Sequence, residues 1–87
     1  MKLKYEFAVR EIVGDFVLVP LGEGALKLSG MITTNDVGAF LCELLKQDTT
    51  ERALTERLVE EFEVDVATAA DDVREFLDQM RQLDLIE

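Results

Sequence analysis

Phe7-Ala8-Val9-Arg10-Glu11-Ile12-Val13-Gly14-Asp15-Phe16-Val17-Leu18-Val19-Pro20 is the stretch whose reading decides the class of fold. Phe7 to Val13 and Phe16 to Val19 are rich in Val, Phe and Ile, residues that suit a pleated, half-buried surface. Between them Gly14-Asp15 suits a tight two-residue turn with Gly at its first central position, so the stretch predicts a β-hairpin. That register sets Val13 opposite Phe16, Glu11 opposite Leu18 and Arg10 opposite Val19. Pro20 has no N–H to give a ladder and ends the second strand or lies on an edge. Leu21-Gly22-Glu23-Gly24 reads as a second turn that delivers Ala25 to Leu28 as a short third strand, which Ser29-Gly30 closes.

Beyond this meander the hydrophobic period changes from strand-like to helical. Thr34 or Asn35 supplies a cap for a first helix running to about Leu45, with Asp36 complementing its positive end. Val37, Phe40, Leu41, Leu44 and Leu45 fall on one face of it, and Gly38 among them permits a close backbone approach. Asp48-Thr49-Thr50 opens a second helix to about Phe62, with Ala53, Leu54, Leu58, Val59 and Phe62 in one stripe. Asp65 caps a third, whose stripe is Val66, Ala69, Ala70, Val73, Phe76, Leu77, Met80 and Leu83. The expected fold is therefore α+β and winged-helix-like: a three-stranded antiparallel β-meander followed by three α-helices, with the sheet packed on the helices.

Composition bounds what such a domain does. The chain has 87 residues and a mass of 9.8 kDa, the size of a single domain over residues 1–87, with little core to spare for an enclosed active site. Nineteen acidic residues stand against nine basic, a net charge of −10, which disfavours nucleic acid as a partner because phosphate binding depends on cationic side chains. The imbalance is uneven: five basic against six acidic residues through Gln47, then four against thirteen after it. The chain has no histidine and one cysteine, Cys42, so His-ligated metals, His-based triads and an internal disulfide are excluded. No apolar run approaches the length of a membrane span, and acidic residues follow Met1-Lys2-Leu3-Lys4-Tyr5 before a signal-peptide core forms. The expectation is a soluble cytoplasmic protein with no cofactor, no metal and no catalytic activity of its own.

The order of these motifs resembles a known family. The run from Phe7 through Gly14-Asp15-Phe16-Val17-Leu18-Val19-Pro20, the segment Ala25-Leu26-Lys27-Leu28-Ser29-Gly30, the helix entry Thr34-Asn35-Asp36-Val37-Gly38-Ala39-Phe40-Leu41 and the ending Phe76-Leu77-Asp78-Gln79-Met80-Arg81-Gln82-Leu83-Asp84-Leu85-Ile86 are similar to the coenzyme PQQ synthesis protein D family. The resemblance spans essentially the whole chain and implies a recognition element for ribosomally synthesised and post-translationally modified peptides. Such a domain holds the leader segment of a precursor peptide and delivers it to a modifying enzyme, commonly a radical S-adenosylmethionine maturase. It further implies that the leader adds as a strand along the third strand, here Ala25, Leu26, Lys27 and Leu28. Leader side chains then enter a groove beside the third helix, at the face carrying Val73, Phe76, Leu77 and Met80. Cys42 in the first helix and the absence of Trp depart from members of PQQ pathways, so a recognition protein for another peptide pathway fits equally well.

Each feature has a plainer reading beside this one. The third-helix stripe is first a core stripe with only one flank free for a ligand, and Lys27 is an edge-strand gatekeeper. Asp71, Asp72 and Glu75 form a solvated acidic face and lack the loop spacing of a calcium site. Cys42 reads as a small buried hydrophobe, and Tyr5 with Lys2 and Lys4 as a frayed arm or a dimerising one, the chain being a monomer or weak homodimer. A winged-helix DNA-binding regulator and a structural subunit docked on a larger enzyme are the alternative functions.

Overall fold

The computed structural model describes residues 1–28 and 30–87. In chain order the elements are β1 (Phe7–Ile12), β2 (Asp15–Pro20), α1 (Glu23–Lys27), β3 (Ile32–Thr34), α2 (Asp36–Leu44), α3 (Glu51–Phe62) and α4 (Val66–Gln82). The strands form one antiparallel sheet in the order β1-β2-β3, and the architecture is α+β as the residue pattern predicts. Its details differ at two places.

The hairpin turn is centred on Val13-Gly14 rather than on Gly14-Asp15, and both central residues take positive φ, 48° and 84°. Glu11 consequently faces Phe16 and Arg10 faces Val17, while Leu18 lies across from Val9 and Phe7 from Pro20. The expected register would have set Leu18 against Glu11. Pairing the apolar residues with one another on the buried face outweighs the cost of a left-handed Val13, which stands almost wholly in solvent.

The second difference is larger. Ala25 to Leu28 is not a strand: Glu23–Lys27 forms one helical turn, and β3 is Ile32–Thr34. Ala, Leu and Lys are good helix formers, Glu23 and Lys27 pair across that turn at 3.1 Å, and Gly22, at φ 56°, turns the chain off β2. Gly24 lies against Tyr5 and Pro20, so closely that a Cβ there would come within 2.9 Å of the Tyr5 Cβ. Ile32-Thr33-Thr34, three β-branched residues in a row, is the better strand. The predicted close at Ser29-Gly30 includes Ser29, which lies outside the described residues.

The three longer helices start where their caps predict. Asn35 Oδ1 accepts from Gly38 N at 2.8 Å, Thr50 Oγ1 from Ala53 N at 3.1 Å and Asp65 Oδ1 from Thr68 N at 2.7 Å. Glu63 in the left-handed region, its N–H on the Val59 carbonyl, ends α3 and lets the chain reverse into α4. Leu41 of α2 and Leu45 at its C-terminal cap, Leu54 and Leu58 of α3, and Ala69, Val73, Leu77 and Met80 of α4 are fully buried. With Phe7 and Leu18 from the sheet they make one core, whereas Val66 and Leu83 at the ends of the α4 stripe are exposed. Phe40 packs edge-on against Phe62, ring centroids 5.6 Å apart, fastening α2 to α3.

The N-terminal arm is fastened rather than frayed. Leu3 pairs with Ile86, Lys4 N donates to the Leu85 carbonyl at 2.8 Å, Glu87 N to the Lys2 carbonyl at 2.9 Å, and Lys4 Nζ reaches Asp84 at 2.7 Å. The Asp84 carboxylate holds the Lys4 ammonium above its ordinary range. Leu3 and Leu85 are buried by this closure, so both chain ends contribute to the core.

Candidate functional site

Among the described residues no further strand covers either outer edge of the sheet. The two edges have different surroundings. A two-residue turn makes Ile12 and Asp15 a hydrogen-bonded pair; alternation along the ladders then directs Val17 toward β1, and Phe16 and Leu18 toward Thr34 and Ile32 of β3. Thr33 is left with its N–H and C=O pointing away from the sheet, as an unpaired donor and acceptor at the β3 edge.

Beside that edge, between the β3–α2 junction and α4, runs a groove of about 130 Å³. Thr34, Asn35, Val37 and Gly38 form one wall, and Asp72, Glu75, Phe76 and Gln79 the other. The α4 residues are spaced i, i+3, i+4, i+7, one face of a helix. The junction is tight: Asn35 caps the first turn of α2 through Gly38 N, and a Cβ on Gly38 would collide with the Thr34 Oγ1. The close approach expected of Gly38 is therefore made to Thr34, the last residue of the strand whose edge is open.

Of the four α4 residues expected to meet a peptide, Phe76 lines the groove and is 6% exposed, while Val73, Leu77 and Met80 are completely covered by the core. Ala25, Leu26, Lys27 and Leu28 belong to α1 and the turn after it, so they present no strand edge; Leu26 is 87% exposed and Lys27 is paired with Glu23. Residue-level reading missed Ile32-Thr33-Thr34 and the groove-facing Asp72, Glu75 and Gln79. The signal for the first was the β-branched run. The signal for the others was their helical spacing around Phe76.

A larger hollow, about 460 Å³, lies at the opposite end of the sheet under the N-terminal arm and includes Lys2, Lys4 and Lys46. Each lysine there is matched by a carboxylate: Glu87 at 3.7 Å, Asp84 at 2.7 Å and Glu43 at 3.0 Å. The Lys2–Glu87 and Lys4–Asp84 pairs fasten the two chain ends to each other, and the hollow meets the outer edge of the sheet at Phe7 of β1.

Cys42 is fully buried, and burial pushes its thiol up to about 11, so at neutral pH it is a thiol and not a nucleophilic thiolate. Among the described residues no cluster of three or more Asp, Glu, Cys or His is placed to hold a metal ion, and no helix is long and apolar enough to cross a membrane.

The site is thus an open strand edge bordered by a groove on a small α+β domain. Residues 15–86 match the family model described as Coenzyme PQQ synthesis protein D (PqqD), and the chain belongs to that family. The same fold occurs in the solved structure "TbiB1 in Complex with the TbiA(beta) Leader Peptide", with a TM-score of 0.71 and 24% sequence identity over 100% of this chain and 95% of that one. Comparison with curated proteins gives no match.

Proposed function

We propose that this protein binds the leader segment of a ribosomally synthesised precursor peptide by strand addition at the β3 edge and presents it to a separate modifying enzyme, a radical S-adenosylmethionine maturase. The observation that carries this reading is the unpaired edge of Ile32–Thr34 lying beside the Phe76 groove. Membership of the PqqD family supports it, as does the shared fold of TbiB1, a protein solved with a leader peptide.

The energetics require both parts of the site. Each main-chain hydrogen bond contributes about 0.5–1.5 kcal/mol net, and a strand of three residues offers few of them. Ordering a flexible peptide costs about 2–5 kcal/mol or more. Edge pairing alone therefore gives register with little affinity, and apolar leader side chains must supply the remainder at roughly 25 cal/mol per Å² buried. Phe76, with Val37 across the groove, is the apolar surface available to them. No step in this scheme needs a catalytic group or a cofactor, and we infer that the protein has neither.

DNA binding fits the surface less well. Arg74 and Arg81, the basic residues of α4, pair with Asp71 and Asp78, each at 3.8 Å, on a helix that also carries Asp72 and Glu75. A recognition helix needs free cationic and amide side chains.

The test is isothermal titration with short precursor peptides encoded beside the gene, each divided into leader and core halves. Micromolar or tighter binding by a leader half, lost when a proline is placed inside its pairing segment, is the expected result. No heat from any leader half with a folded protein would overturn the reading and favour a docking subunit that engages the enzyme directly.

A further inference from the structure

We infer that the peptide held at the β3 edge is cationic where it crosses α4, with a Lys or Arg two residues from the apolar side chain that seats on Phe76. This rests on the strand-addition reading above and specifies the chemistry of its ligand.

Geometry sets the spacing. From Asp72 to Gln79 is seven residues of α4, roughly 10 Å of helix at 1.5 Å per residue. An extended strand rises about 3.3 Å per residue and turns alternate side chains to the same face, so the groove receives about two inward side chains. Asp72 and Phe76 are four helical residues apart, roughly 6 Å, which matches the separation of residues i and i+2 on a strand. One inward side chain on Phe76 therefore places its neighbour on that face beside Asp72, with Glu75 at the rim.

Charge sets the identity of that neighbour. Asp72 and Glu75 are the charged residues of the groove, no Lys or Arg lines it, and neither carboxylate belongs to an ion pair among the described residues. Arg74, the nearest cation in sequence, is turned to Asp71 at 3.8 Å. β3 itself is uncharged, and Asp36 follows it at the start of α2. An acidic peptide crossing this face would set like charges together, a cost that a Lys or Arg reverses.

The test uses a display library of randomised 16-residue peptides selected against the wild-type protein, Asp72→Asn/Glu75→Gln and Thr33→Pro, each first shown to be folded by circular dichroism. Wild type is expected to enrich an apolar residue with Lys or Arg two positions away; the double variant is expected to keep the apolar preference and lose the cationic one. For an enriched peptide the double variant should bind roughly threefold to thirtyfold more weakly, and wild-type affinity should fall as salt is raised. Enrichment of edge-binding peptides, lost in Thr33→Pro, with no cationic preference and no salt dependence would overturn the inference and leave strand addition standing. No enrichment by wild type, or enrichment that Thr33→Pro leaves unchanged, would overturn both.

Discussion

α4 meets two different environments along the same 17 residues. One flank, Ala69, Val73, Leu77 and Met80, is sealed against α3 and α2, with no exposed surface on any of the four. The other, Asp72, Glu75 and Gln79, borders an open groove across which no described element closes. Phe76 sits on the boundary, buried to 6% exposure yet part of the groove wall. In a domain this small one helix both completes the core and forms one wall of the groove. The two flanks should nevertheless respond to different measurements: changes on the sealed flank are expected in stability, and changes around the groove in the peptide affinity proposed above.

The largest effect is expected on the sealed flank. Leu77→Ala removes a fully buried side chain from the middle of the core, and such truncations cost about 2–5 kcal/mol. Against a total stability of about 5–15 kcal/mol for an ordinary domain, that is a large share. Urea unfolding should show a lower midpoint with an unchanged slope. A stability loss below about 1 kcal/mol would mean that the sealed flank is loosely packed and the contrast between flanks is weaker than drawn.

Gly38→Ala comes next, because it acts on the wall facing α4. The added methyl collides with Thr34 Oγ1 and approaches the Thr34 Cβ to 3.0 Å, so the end of β3 must move. Overpacking of this kind costs about 1–3 kcal/mol, partly offset by about 1 kcal/mol of helix propensity gained over Gly. The net expectation is a loss of up to about 2 kcal/mol in urea unfolding together with weaker leader binding in titration. Stability loss with unchanged binding would separate Thr34 from the groove.

What residue patterns revealed divides along the same boundary. The sealed flank was readable because burial imposes a period: Ala69, Val73, Phe76, Leu77 and Met80 recur as a helix requires, and Asn35, Thr50 and Asp65 mark starts through local side-chain chemistry. The groove was not readable as a unit, because it joins residues about 40 positions apart whose juxtaposition is decided by packing. Ala25-Leu26-Lys27-Leu28 misleads for a local reason. Leu26-Lys27-Leu28 alternates apolar and polar as a strand does, while the composition favours the helical turn it adopts. The hairpin was recognised but its register slipped, since Gly14 suits either central position of a two-residue turn and cross-strand pairing made the choice.

Thr33→Pro and Leu26→Ala sharpen the assignment of the edge. Proline at Thr33 removes the outward N–H and no ladder bond, so it should leave unfolding nearly unchanged and weaken leader binding at least about tenfold, equal to about 1.4 kcal/mol. Leu26→Ala, at a position that the family resemblance places on the binding strand, should leave titration heats unaltered because Leu26 stands in solvent on α1. The reverse pair of results would return the binding edge to Ala25–Leu28.

The smallest effect concerns the start of α4, which serves both flanks. The Thr68 N–H on the Asp65 carboxylate holds that group below its ordinary value of 3.8. A carboxyl whose pKa is lower in the folded chain than in the unfolded one stabilises above the unfolded value, and that contribution is lost as pH falls through the folded one. Asp65→Asn keeps an acceptor for Thr68 N but cannot titrate, so it removes this part of the acid sensitivity while preserving the cap. Thermal melts at neutral pH and in the acid range should show a smaller acid-induced drop in Tm for Asp65→Asn than for wild type. Equal drops would place the acid response elsewhere among the carboxylates, and the helix start would then bear on both flanks through its hydrogen bond alone.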